Sequence, residues 1–148
     1  HWHFVMIRDQ EKVESCREIM GRVYEKFRPI LVDRFSRNPH IVEETGEFLK
    51  TLGGAKVVLL AFMSRAGFDE SLPATSGTCA AIQNMLLAAH DKGIGSCWIT
   101  APLAAKMDEE FKSRFAPSKG RLVAAVTFGY PAESPAPPPR REGKYEII

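Results

Sequence analysis

The sequence predicts an α+β domain, a small sheet with helices on its faces. Three observations carry this. Apolar runs of strand length recur at Trp2–Ile7, Ala55–Phe62 (AKVVLLAF), Cys97–Thr100 (CWIT) and Arg121–Phe128. Between them lie longer stretches whose apolar residues recur at helical spacing. Glycine or proline marks most junctions, as at Gly53-Gly54, Gly93, Gly95 and Gly129.

The bounds agree with one soluble unit. A chain of 148 residues fits a single domain. At that length about 70% of the unfolded surface is buried, so a proper core forms without staples. The net charge of +2 is too small to argue for nucleic acid. Cys16, Cys79 and Cys97 sit in apolar contexts without metal spacing, which points to reduced thiols and a cytoplasmic protein. No apolar run approaches the ~20 residues of a membrane span, and no signal-peptide pattern is visible.

Each element has its own signature. Trp2, Phe4 and Met6 alternate with His3, Val5 and Ile7, a strand pattern. Asp9 is a good N-cap. Val13, Cys16, Met20, Val23 and Phe27 then mark one helix face, with the helix expected to stop before Pro29. Ile41, Phe48, Leu49 and Leu52 mark a second helix, stopped by Gly53-Gly54. The β-branched run Ala55–Phe62 reads as a buried central strand. Ser64–Pro73 reads as a polar loop close enough to the candidate site to form its rim.

The stretch from Ser76 to Pro102 organises the rest. Ile82, Met85, Leu86 and Ala89 share one face, and Cys79, Ala81, Leu87 and Ala88 make much of the other apolar. Such a helix is normally buried. Lys92 and Gly93 end it. CWIT follows as a short strand, then a single helix from about Pro102 to Phe115, a turn, and the strand Arg121–Phe128. Ser134–Pro139 is proline-rich and extended. Tyr145, Ile147 and Ile148 suit a strand added to another subunit's sheet edge, or a frayed terminus.

Catalytic side chains are scarce. No G-x-S-x-G elbow, Walker loop or dinucleotide fingerprint is present. His1 and His3 share a strand face without a third ligand nearby in sequence, so no metal site is expected; His40 or His90 would have to complete one.

AAIQNMLLAAHDKGIGSCWIT resembles the core signature of the nitroreductase family of FMN flavoproteins. HWHFVMIRD resembles the family's segment after its Asn-x-Gln, and VAAVTFGYPAE with PPPRR resembles its closing strand and basic tail. The three matches come in the family's order and span nearly the whole chain. The resemblance implies a nitroreductase-like fold, a mainly antiparallel central sheet flanked by helices. It also implies a homodimer with FMN at the subunit interface. Within it, residues 1–133 form the domain, N-terminally incomplete relative to the family, and 134–148 an extended C-terminal arm.

A flavin carries its own hydride chemistry and needs from the protein a slot, donors at its N5 and O4 edge, and cations for its phosphate. Trp98, Ile99, Thr100 and Ala101 are the candidates for slot and donors, where the family has its flavin contacts. Pro102 lacks an N–H, which leaves Thr100 and Ala101 as the amides of choice. Trp98 and Ile99 also read as plain core residues. The resemblance carries the family's phosphate pair onto Arg140 and Arg141, which otherwise read as a solvated basic tail. His1 follows the position of the family's flavin-facing Asn. Ser76, Gly77 and Thr78 line the substrate side or cap the central helix.

The function implied is an FMN-dependent oxidoreductase using NAD(P)H and a small-molecule acceptor, nitroaromatic or quinone, by a ping-pong mechanism. The alternative is a non-catalytic dimeric module that has lost its flavin grip.

Overall fold

The computed structural model describes residues 1–64, 72–134, 136, 137, 139, 142–144 and 146. Four strands, β1 (Trp2–Ile7), β2 (Val57–Met63), β3 (Gly95–Ile99) and β4 (Leu122–Gly129), form one sheet in the order β1-β2-β4-β3. Every neighbouring pair is antiparallel, as the family resemblance implied. β2 and β4 are central and covered on both faces, which explains their unbroken apolar runs. β1 and β3 lie at the edges.

One face is covered by α1 (Gln10–Arg34), α2 (Pro39–Thr51), α4 (Ala101–Ala104) and α5 (Asp108–Phe115). Ile7, Val58, Leu60, Phe62, Leu122 and Ala125 meet Val13, Cys16, Met20, Val23 and Phe111 there. The other face is covered by α3 (Leu72–Asp91), which packs Ala74 and Ile82 on Leu59, Ala61, Met63, Ala124 and Val126.

Local rules account for most boundaries. The Asp9 carboxylate accepts from the Lys12 amide at 3.0 Å and starts α1. α1 then runs through Pro29 to Arg34, beyond the stop expected from sequence. Leu31, 4% exposed, is anchored in the core beyond the proline, and burial holds a last turn that local propensity disfavours. Pro39 takes the first position of α2, where its missing N–H costs nothing. Gly53 and Gly54 close that segment at φ of 60° and 72°.

Two further expectations are corrected. α3 begins at Leu72, so Leu72 and Pro73 belong to the helix rather than to the preceding loop. The helix expected from Pro102 to Phe115 is two helices, broken around Lys106, whose φ is 53°. The break lets Ala105, Met107 and Phe111 all reach the core, which a straight helix would not turn inward together.

β4 carries a bulge. Ala61 pairs with Ala124 but Phe62 pairs with Leu122, so Val123 is an extra residue. Ala124 therefore packs on the α3 side while Leu122, two residues away, packs on the α1 side.

Candidate functional site

The candidate site lies at the end of β3. Trp98 is half-buried and packs with the α3-side cluster, whereas Ile99, 5% exposed, belongs to the α1-side core. Ile99 therefore has a packing side chain, and only its backbone is left to meet a ligand. Thr100 is exposed and lies, by strand alternation, on the same side as Trp98. Ala101 is buried at 8%.

The turn after Ile99 is built to leave amides over. Leu103 and Ala104 donate to the Thr100 carbonyl at 3.0 and 3.2 Å, and Ala105 to Ala101 at 2.9 Å. The ladder thus begins at Leu103, and the Thr100 and Ala101 N–H groups precede it. α4 is only 4 residues long, so it adds little dipole. What this junction offers is two amides beside an aromatic ring, more than a helix end.

The strands bring several segments to that same end of the sheet. The Ser64 amide donates to the His1 carbonyl at 2.9 Å, and the Met63 amide to the Arg121 carbonyl at 3.0 Å. His1 and Thr100 are at opposite edges, three strand spacings apart and three residues out of line along the strands, so at least about 14 Å separates them. Strand alternation also puts His1 on the α1 side, with Val5 and Ile7. Within one chain the structure does not bring His1 to the Trp98–Ala101 junction. Arg140 and Arg141 lie outside the described residues, as do Arg65 of the expected rim and Tyr145, Ile147 and Ile148.

Ser76 and Thr78 are not caps. Both sit inside α3, where the Ser76 hydroxyl donates to the Leu72 carbonyl at 2.9 Å and the Thr78 hydroxyl to Ala74 at 2.9 Å. Thr78 is fully buried against the Met63 sulfur. α3 itself is less buried than its composition predicts. Leu87 is 58% exposed, and Trp2 and Met6, on the sheet face that α3 covers, are 47% and 57% exposed.

Sequence reasoning passed over Arg121 except as the start of a strand. Its guanidinium donates to the Thr75 hydroxyl at 3.0 Å, on the α3 side of the sheet. Only the bulge at Val123 puts it there, and nothing in the local sequence announces a bulge.

Two hollows are open at the surface, and both lie away from this end. One, of about 480 Å³, is lined by Ser15, Glu18, Arg22, Glu110 and Arg114; the other, of about 410 Å³, by Met6, Arg8, Lys12 and Phe115. Among the described residues, neither hollow is lined by the Trp98–Ala101 junction. Among the described residues no group of three or more His, Cys, Asp or Glu is gathered for a metal, and no helix is long and apolar enough to cross a membrane. The cysteines are free. Burial pushes the Cys16 thiol up to about 12 and raises that of Cys97, so neither is a ready nucleophile.

Comparison with curated proteins finds no match. Solved structures do match in fold. A BluB-like flavoprotein from Clostridium difficile 630 has 21% identity and a TM-score of 0.65, over 99% of this chain and 79% of that one. A nitroreductase with bound FMN from Bacteroides fragilis NCTC 9343 has 21% identity and a TM-score of 0.66, over 99% and 75%. The FMN-dependent nitroreductase NfnB from Mycobacterium smegmatis, in complex with NADPH, has 16% identity and a TM-score of 0.63, over 88% and 68%. The family profile described as the Nitroreductase family matches residues 1–130, and by that match the chain belongs to the nitroreductase family.

Proposed function

We propose that this chain is a subunit of an FMN-dependent oxidoreductase. The observation that carries the reading is the pair of amides at Thr100 and Ala101, free of the helical ladder and beside Trp98, in a chain of nitroreductase fold. The chemistry that FMN supplies when bound is hydride transfer from NAD(P)H to a nitroaromatic, quinone or similar acceptor, in two half-reactions sharing one slot.

The chain's own part is binding and electrostatics. The Thr100 and Ala101 amides donate to the ring edge where negative charge develops on reduction. Trp98 gives one flat wall. Arg140 and Arg141 hold the phosphate as guanidinium forks. No side chain is required to move a proton, because water can supply it to the reduced acceptor.

The second wall comes from another copy of the chain. Leu87, Trp2 and Met6 leave apolar surface on the α3 side, as a homodimer contact would require. A site shared between two copies can take the Trp98–Ala101 junction and His1 from different subunits, which removes the separation seen within one. Residues 134–148 act as the arm that reaches the partner. A cytoplasmic location belongs to the same reading, and the unpaired thiols of Cys16, Cys79 and Cys97 support it.

The test is spectroscopic. Purified protein, as isolated or after soaking in FMN, is expected to show flavin absorbance and to bleach on addition of NADH or NADPH without oxygen. A colourless protein that stays colourless after soaking supports the non-catalytic module instead.

A further inference from the structure

We propose that Arg121 recognises an anionic group, a carboxylate, on the electron acceptor, and so sets the acceptor class of the site. The proposal rests on the flavin reading of the same sheet end.

The bulge is the first observation. Regular alternation from Ala124 would turn Leu122 to the α3 side and Arg121 away from it. The extra residue Val123 reverses both: Leu122 enters the α1-side core and Arg121 emerges beside the first turn of α3. Bulges re-aim side chains in this way at the cost of ladder hydrogen bonds. Here the side chain re-aimed is the cation.

The second observation is its partner. Arg121 is half-buried, and its hydrogen bond among the described residues is to a neutral hydroxyl, Thr75 Oγ1. The other half-buried arginine at a chain crossing, Arg17, instead uses its donors on Glu14, Thr51 and Ala55. A guanidinium has five N–H donors, and among the described residues no carboxylate takes any of Arg121's; partial burial of a cation is favourable only when such a partner is supplied. An incoming carboxylate would take two of the remaining donors side by side.

The third is position. Arg121 is on the same side of the sheet as Trp98 and Thr100, one strand over and about 10 Å from Thr100 by strand geometry. That is the length of a substituted benzene ring with a group at each end. An acceptor stacked on a flavin held at Trp98, with its reducible group over the ring edge that the amides face, would present its far substituent to Arg121.

The experiment pairs two acceptors of one shape, 4-nitrobenzoate and 4-nitrobenzamide. In Arg121→Gln the KM for 4-nitrobenzoate is expected to rise about tenfold or more, the worth of a charge-assisted hydrogen bond, with the 4-nitrobenzamide KM within twofold. Arg121→Lys is expected to fall between, since it keeps the charge and loses the fork. Calorimetric titration of benzoate against benzamide gives the same comparison without turnover, and with or without flavin. Thr75→Val, which keeps the arginine, covers the case in which Arg121→Gln does not fold; it is expected to alter only the benzoate affinity. Equal effects on both acceptors, or no effect on benzoate binding, would overturn the proposal. So would a loss of FMN affinity with riboflavin affinity intact, which would give Arg121 to the cofactor phosphate. A flavin-free protein that still binds benzoate through Arg121 would sink the flavin reading and leave the anion site standing.

Discussion

Gly46 faces the ring of Tyr24 where α2 crosses α1. A Cβ built at residue 46 would lie 2.5 Å from Tyr24 Cζ and 2.8 Å from its hydroxyl. Tyr24 is 3% exposed, and the Lys50 ammonium sits 4.7 Å from the ring centroid, so the ring has little room to retreat. Gly46→Ala is therefore expected to destabilise the fold by about 1–3 kcal/mol, although alanine is the better helix former. Urea denaturation checks this. A stabilised variant would mean that the helices separate freely at this crossing.

Arg17 makes a second tie between the same layers. Its Nε donates to the Thr51 carbonyl and its Nη2 to the Ala55 carbonyl, both at 3.1 Å, so one guanidinium closes the end of α2 and the entry to β2. The Glu14 contact at 2.9 Å is more exposed and contributes less. Arg17→Ala is expected to cost about 1–3 kcal/mol, because two carbonyls lose their donor. Glu14→Ala should change stability by about 0.5 kcal/mol or less. Parallel denaturation curves test the ordering, and equal losses would refute it.

These ties show what the sequence made legible. The strands were readable because β2 and β4 are buried on both faces and leave unbroken apolar runs, and Asp9 announces α1 by chemistry that is local. Pro29 misled because its penalty is local while the compensation, burial of Leu31, is tertiary. The break at Lys106 was hidden for a related reason, since helical periodicity continues across it and only the packing of Met107 and Phe111 requires the turn. At the site, Trp98–Ala101 was legible as a junction through its Pro102 and Gly95 neighbours. Arg121 was not, because its direction depends on one extra residue in β4 against β2.

Cys16 links burial to pH. Its thiol is fully buried in the α1-side core and its pKa is raised from 9.0 to about 12 by desolvation. In the unfolded chain the thiol ionises near 9 while in the folded protein it stays protonated, so between about pH 9 and 12 the unfolded state binds fewer protons. Stability from this group is thus fully present below pH 9 and is lost as pH rises towards 12. Cys97 shifts in the same direction. Cys16→Ala should flatten the alkaline fall in stability relative to the parent, even though the cavity lowers stability at pH 7. Denaturation midpoints at pH 7 and pH 10.5 for both proteins decide it, and parallel falls would contradict the assignment.

The basic pair after the proline run gives the sharpest test of how the cofactor is held. If Arg140 and Arg141 grip the phosphate, their loss matters for FMN and is irrelevant to riboflavin, which has the same ring and no phosphate. Each charge-assisted hydrogen bond is worth about 1.5–3 kcal/mol. The change Arg140→Ala with Arg141→Ala is accordingly expected to weaken FMN binding at least about tenfold, and more if both forks engage. Riboflavin affinity should stay within twofold, because the Thr100 and Ala101 amides and the Trp98 wall are untouched. Flavin fluorescence titration measures both ligands in one experiment. Equal weakening of the two would point to damage at the ring site, and unchanged FMN affinity would remove the arm from phosphate binding.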